Sequence, residues 1–244
     1  MTDLTGRVAL VTGSSSGIGA AIAAALAERG ARVVINSSSS VAEGQELAAK
    51  LPDATYLQAD IADPASARQL VAATVEHHGR LDIVVNNAGT TAVIPHDDLD
   101  AVTAETWERI LGVNVVGTWN VIQAAVPHLR DSGDGVILNI TSLAGVRPVG
   151  SSIPYAVSKA ALNHLTLLLA NVLGPEIRVN AVAPGLIDTP WTEDWDAVRD
   201  EVRQTAPLRR SGTPEDVADA CLGLIATRYA TGQILVVDGG VALR

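Results

Sequence analysis

The sequence predicts an α/β chain built on one parallel sheet of seven strands, with helices on both faces. Three observations predict it. Short β-branched runs alternate with longer Ala/Leu-rich stretches, the repeated pattern of strand and crossover helix. The first run passes straight into a glycine-rich turn, Gly13, Ser14, Ser15, Ser16, Gly17, Ile18 and Gly19, and then into a helical stretch. Every cluster of chemistry-bearing residues also falls just after the carboxyl end of a run, where open parallel sheets bind their ligands.

Residues 7–12 form the first strand, and residues 20–29 a helix that Gly30 stops. A strand, glycine turn and helix in that order present backbone N–H groups and a positive dipole end to a phosphate, so a dinucleotide pyrophosphate is the natural guest. The glycine spacing is G-x-x-x-G-x-G, not G-x-G-x-x-G. The second strand, 32–35, ends in Asn36, Ser37, Ser38, Ser39 and Ser40, with no acid before Glu43. An acid at this tip would hold the adenosine-ribose 2′-OH, and its absence leaves room for a 2′-phosphate. NADP(H) is therefore the preferred cofactor, with NAD(H) left open.

A helix over 41–51 and a strand over 54–58 follow, and Asp60 stands where the third strand opens toward an adenine. Asp63 and Pro64 start the next helix, 65–78, by capping and proline logic. The pair His77 and His78 at its end reads as a solvated helix terminus and no metal site is expected. The fourth strand, 81–85, runs into Asn86, Asn87, Ala88 and Gly89, small residues that let the backbone approach a ribose. Residues 103–129 read as one long helix capped by Thr103, kinked or ended near its close by Pro127. Within it Asn114, between Val113 and Val115, needs hydrogen-bond partners in so apolar a setting. It is satisfied by its own helix, or it holds a water that relays protons toward Lys159.

The fifth strand, 135–141, delivers Ser142. A helix from Tyr155 to about residue 172 is stopped by Gly174 and Pro175; strands over 177–182 and 233–238 complete the set. On the Tyr155 helix, residues four apart share a face, so the phenol of Tyr155 and the ammonium of Lys159 point into one cleft. A free tyrosine has a pKa of about 10, and a cation held close lowers it toward the range in which a proton is both given and taken. Ser142 supplies a hydrogen bond to the oxygen that Tyr155 protonates or deprotonates. Only two lysines occur, Lys50 and Lys159, every other cation but histidine being arginine, so a lysine at position 159 answers a need for a compact ammonium.

At 244 residues and 25.2 kDa, a single domain over 1–244 is expected. The net charge of −10 and pI near 4.8 argue against a partner of nucleic acid or anionic membrane. No apolar run of spanning length is free of polar residues, and no basic region precedes an apolar block at the N-terminus, so a cytoplasmic location is expected. Cys221 lies in an Ala/Leu-rich pattern as a small buried residue.

Taken in order, Thr12-Gly-x-x-x-Gly-Ile-Gly19, Asp60, Asn86-Asn-Ala-Gly89, Asn114, Ser142, Tyr155-x-x-x-Lys159 and Pro184-Gly185 resemble the short-chain dehydrogenase/reductase family over essentially the whole chain. The C-terminal Tyr229-x-Thr-Gly-Gln-x-x-x-Val-Asp-Gly-Gly240 brings the likeness closest to the 3-oxoacyl-carrier-protein reductase-like branch. The resemblance implies a Rossmann-type fold and hydride transfer between a nicotinamide and a carbonyl or secondary alcohol. It implies Tyr155 as general acid/base, Lys159 as the group that lowers its pKa and holds the nicotinamide ribose, Ser142 on the substrate oxygen, and Asn114 on a relay water. Gly13, Ser15, Ser16, Gly17, Ile18 and Gly19 match the pyrophosphate turn, and Asp60 and Ile61 the adenine pocket. Asn87, Ala88 and Gly89 match the adenosine-ribose side, and Pro184, Gly185, Ile187 and Thr189 the nicotinamide end. Ser16 stands where many NADP(H)-preferring relatives carry Arg or Lys, which keeps NAD(H) open.

A lid is implied over residues 186–212. Leu143, Val149, Ile153 and Trp191 are expected to line an apolar pocket for a keto-acyl group, cyclic ketone, steroid or sugar-derived alcohol. A homotetramer is expected through the long helices. The alternative is a non-catalytic, dinucleotide-binding redox sensor on the same scaffold.

Overall fold

The computed structural model of the chain describes residues 3–243. Seven strands, β1 (Val8–Val11), β2 (Arg32–Ser37), β3 (Ala54–Gln58), β4 (Ile83–Asn86), β5 (Gly135–Ile140), β6 (Ile177–Pro184) and β7 (Ile234–Val237), form one sheet in the order β3-β2-β1-β4-β5-β6-β7. All neighbours pair in parallel. The chain winds outward from β1 to β3, then returns to the middle and winds the other way from β4. The carboxyl ends of β1 and β4 therefore flank a crevice at the point where the winding reverses.

The central strands are apolar on both faces because both are covered. Ala9, Val11, Val33, Ile35, Val85 and Leu138 meet α1 (Gly17–Ala27), α2 (Val41–Lys50) and α8 (Pro214–Ala226) on one side. Val8, Leu10, Val34, Val84 and Ile137 meet α3 (Pro64–His78), α5 (Thr118–Asp131) and α6 (Ile153–Leu173) on the other. Cys221 is fully buried on α8, as expected, and burial pushes its thiol up to about 12. By length and composition, the helical stretches Ala104–Asp131 and Ile153–Leu173 could cross a membrane, but here each packs one face into the helix and sheet layers.

Most element ends differ from the sequence reading by one or two residues, and the larger departures bear on the cleft. The first helix begins at Gly17 rather than residue 20, so the glycine turn supplies its first turn. β2 runs on through Asn36 and Ser37, which pair with Leu57 and Gln58 of β3, so these two residues are strand and not loop. The single helix expected over 103–129 is α4 (Ala104–Leu111), a wider π-helical turn Gly112–Gly117, and α5. Pro127 lies inside α5, which continues to Asp131. The segment 186–212 also contains a helix that was not foreseen, α7 (Asp196–Thr205).

Candidate active site

The carboxyl ends of the strands surround a cleft of about 1150 Å³. At its floor, the ends of β1 and β4 are stitched together by Thr12, whose buried hydroxyl accepts from the Asn87 and Ala88 amides at 3.1 and 3.2 Å. The Asn87 side-chain amide answers by donating to Gly13 O at 2.7 Å. This closeness demands glycine at position 13: its φ is +60°, and a Cβ there would lie 2.6 Å from the Ala88 Cα. At the start of α1, Ser16 makes no side-chain capping bond, so no cap satisfies the first-turn N–H groups beside the cleft. A cradle this tight, opening onto uncapped amides, fits a dinucleotide pyrophosphate. Gly13, Ser15, Ser16, Gly17 and Ile18 line the cleft; Gly19 sits behind it, against Asn87 and Gly13.

At the adenosine end, Asp60, Ile61, Asn87, Ala88 and Gly89 line the cleft as expected. Gly117 and Asn120 hold the Ile61 loop, a Cβ at Gly117 falling 2.9 Å from the Ile61 side chain and Asn120 donating to Ile61 O at 3.0 Å. Asn36 lines the cleft too, but with its side chain already engaged by the protein. Its side chain is buried, donating to Leu57 O and Ala59 O at 3.1 Å each and accepting from Gly13 N at 3.4 Å. The extension of β2 turns it into the glycine turn, where its donors are spent on protein carbonyls. Ser37 is likewise engaged, with Ser40 O and the Tyr56 hydroxyl. Asn36 and Ser37 still line the cleft together with Ser38, Ser39 and Ser40, and no arginine or lysine lines it beside them.

Deeper in, Ser142 follows β5 and caps the short turn Leu143–Gly145, its hydroxyl accepting from Ala144 N at 3.1 Å. Across from it, Ser152 caps α6 by accepting from Tyr155 N, which fixes where the tyrosine leaves the helix. Lys159 is almost fully buried one turn on, its Nζ donating to Ile140 O at 2.9 Å and lying 5.6 Å from the Tyr155 ring centre. Burial pushes the Lys159 ammonium down to about 8. The tyrosine does not follow expectation: burial raises its pKa, and only the Ser142 hydroxyl pulls it down. In the chain by itself the ammonium does not overcome desolvation, because the same dry setting penalises both charges.

Asn114 is satisfied by the neighbouring loop and helix α6 rather than by its own helix, with one acceptor position left on Oδ1. Its Oδ1 accepts from Thr90 N at 2.7 Å, and its Nδ2 donates to Thr90 O at 3.0 Å and Ser158 Oγ at 2.9 Å. Its own carbonyl accepts from the Thr118 hydroxyl at 2.8 Å. The widened π turn places it between the loop after β4 and α6, a common use of such turns at working sites. Ser158, which the sequence reading missed, passes the tie on to Tyr155 O at 2.7 Å.

At the open end, Leu143, Val149 and Trp191 line the cleft, and the Trp191 ring stands 6.4 Å from that of Tyr155. Ile153 does not line it. It precedes Tyr155 by two helical positions, a rotation of roughly 200°, so it faces away. Pro184, Gly185, Ile187 and Thr189 form the wall opposite Ser142. Helix α7, whose signal was Val198 and Val202 four apart among charged residues, adds Ala197, Val198, Glu201 and Val202. At the mouth, Arg109 reaches Thr90 Oγ1 at 2.8 Å.

Comparison with known proteins agrees with this arrangement. Residues 13–242 match the family model described as enoyl-(acyl carrier protein) reductase. A protein of Streptomyces violaceoruber, provisionally named ketoacyl reductase 2 of the granaticin polyketide synthase, is 59% identical over 97% of this chain and 96% of its own length. The 3-oxoacyl-[acyl-carrier-protein] reductase of Thermotoga maritima is 37% identical over 98% of this chain and 99% of its own. Among solved structures, a provisionally assigned short-chain dehydrogenase/reductase from Burkholderia xenovorans superposes with a TM-score of 0.92 at 36% identity, covering 100% of both chains.

Proposed function

Because the chain belongs to the short-chain dehydrogenase/reductase family, in its 3-oxoacyl-carrier-protein reductase-like branch, we propose that it reduces a ketone of an acyl or polyketide chain at the cleft between Ser142 and Trp191. It is a nicotinamide-dependent oxidoreductase acting on small carbonyl or alcohol substrates. The observation that carries the finer reading is the meeting of Ser142, Tyr155 and Lys159 in one cleft with the glycine cradle. The sensor alternative explains neither this constellation nor the company of reductases.

A reduced nicotinamide bound between Tyr155, Lys159 and the 184–189 wall would supply the hydride to the carbonyl carbon. Ser142 holds the carbonyl oxygen, and Tyr155 gives that oxygen its proton as the carbon is reduced. Burial raises the Tyr155 pKa, so the phenol holds its proton but is the weaker acid for it, and the charge of Lys159 and the developing alkoxide must draw that proton off. Lys159 stabilises the phenolate left behind, and Asn114 keeps the Thr90 loop and α6 at fixed separation. The relay water expected at Asn114 would have to take a third partner on Oδ1 or on the main-chain oxygen.

The cofactor is NADP(H), held at its 2′-phosphate by Ser38, Ser39 and Ser40 in place of a basic side chain. Segment 186–212 is the lid of a single domain spanning 1–244. The chain acts in the cytoplasm as a homotetramer. Exposed Trp119 on α5 and Val157, Leu168 and Val172 on α6 suit burial against sister chains, which sedimentation of the purified protein would show as four times 25.2 kDa. In a panel of β-ketoacyl thioesters, cyclic ketones, quinones and keto sugars, NADPH is expected to be consumed with the first two classes, and NADH more weakly. Tighter binding of NADH than NADPH would refute the role given to the three serines.

A pH prediction follows from Lys159. Its folded pKa lies near 8, below the ordinary 10.5, so the ammonium is charged below about 8 and lost as pH rises. Between those values the unfolded chain holds one more proton than the folded one, so this lysine makes the fold more stable, not less, as pH climbs. Activity runs the other way. If the charge assists Tyr155 and holds the ribose, kcat/KM for the reduced cofactor falls above about pH 8, while a flat profile through that range removes the charge from the mechanism.

A further inference from the structure

Arg199 sits on α7, in the segment that walls the open end of the cleft, and it does not line the cleft itself. Its side chain is only 14% exposed, although α7 lies at the surface. The guanidinium is fully engaged. Nε donates to Asp188 Oδ1 at 2.9 Å, Nη1 to Asp196 Oδ1 at 2.8 Å and to Glu193 O at 3.0 Å, and Nη2 to Thr192 O. Asp188, Thr192 and Glu193 surround the short helical turn Pro190–Thr192 that carries Trp191, and Asp196 begins α7. One planar fork thus spans both ends of the stretch that faces Tyr155 with Trp191, Asp194 and Trp195. A lysine has no such reach in several fixed directions.

The neck of the segment is closed separately. Ile187 and Gly212 pair as a parallel bridge, with Asp188 N donating to Gly212 O and Gly212 N to Leu186 O, each at 2.9 Å. Beyond the neck, Arg210 grips Asp216 of α8 at 2.6 and 3.0 Å. The base of the segment is therefore held to the body of the protein whether or not Arg199 is present. The Thr192 hydroxyl ties the turn back to Ile187 O at 2.7 Å, but among the described side-chain contacts only Arg199 joins that turn to Asp188 and to the start of α7. Hydrogen bonds to a charged donor are the strong ones, and this donor keeps its charge at every working pH, its pKa raised further by Asp188.

We propose that Arg199 is a positioning residue that latches the Trp191 wall over Tyr155, so that the substrate end of the cleft is formed before the ketone arrives. The proposal rests on the ketone-reductase reading, and it predicts a particular split. Arg199→Ala should raise KM for the ketone about tenfold or more, the worth of one charge-assisted bond, while the dissociation constant of NADPH stays within about twofold. Arg199→Lys should recover part of the loss, and Asp188→Asn, which leaves the fork in place, should fall between. A second readout needs no turnover: trypsin should cut after the exposed Arg203 faster in Arg199→Ala than in the wild type, and at an intermediate rate in Asp188→Asn. A ketone KM unchanged in Arg199→Ala would overturn the latch, as would equal cleavage rates in all the variants. If the wild type reduces no ketone yet cleavage quickens as expected, the reading of the substrate fails and the latch stands.

Discussion

Tyr155→Phe is expected to lower kcat for ketone reduction about a thousandfold while leaving the affinity for reduced cofactor nearly unchanged. The substitution removes one oxygen and keeps the ring, so the packing against Trp191 and the Ser152 cap on the Tyr155 amide both survive. What is lost is the proton that the alkoxide must receive. No other group can replace it. Ser142 is a far weaker acid, and Lys159 points its Nζ at Ile140 O. Steady-state kinetics with NADPH titration by fluorescence would check both halves; a mutant that keeps about a tenth of wild-type kcat sinks the acid role.

Much of this site was legible in the sequence, for reasons that vary by element. β3 appears at the bounds read for it, Ala54–Gln58, because a short run between two helix signals leaves little freedom. The glycine turn and the Tyr155 helix were legible because their geometry is local: φ at Gly13, a capping serine, a four-residue spacing on one face. What failed depended on neighbours. Asn36 reads as a loop donor until β2 is seen to continue along β3, a matter of register that the sequence of β2 does not contain. Two glycines, three valines and an asparagine weaken the helix at Gly112–Gly117, but its wider winding is not readable from them, since Asn114 is held by Thr90 and Ser158, distant in sequence. Burial of Tyr155 itself likewise decides the sign of its shift, which a spacing rule cannot. Arg199 is one of several charges on a polar segment, and only the fold brings Asp188, Thr192, Glu193 and Asp196 around it.

Gly145→Ala should be strongly damaging although it touches no reacting group, and it tests how Ser142 and Tyr155 are held in register. Gly145 ends the turn that Ser142 caps, and it rests directly on the backbone of α6 at Lys159. A Cβ there would lie 2.6 Å from the Lys159 carbonyl carbon and 2.8 Å from Ala160 N, where ordinary contacts begin at 3.4 Å. The obstacle is backbone, so no rotamer relieves it, and the turn must move off the helix by most of an ångström. Asn163 donates to Gly145 O at 3.0 Å on the same contact and resists that movement. Overpacking of this kind costs about 1–3 kcal/mol of stability. The larger effect is on rate, because displacement of a catalytic group by about 1 Å can cost about a hundredfold. The loss should appear in kcat, with cofactor affinity largely kept, since the glycine cradle lies at the ends of other strands. Gly223→Ala on α8 is the matched control: nothing lies within 4 Å of its Cβ, so the same added methyl should leave activity intact and make the helix slightly more stable. If Gly145→Ala turns over as fast as Gly223→Ala, the separation of the Ser142 turn from α6 does not set the reaction geometry.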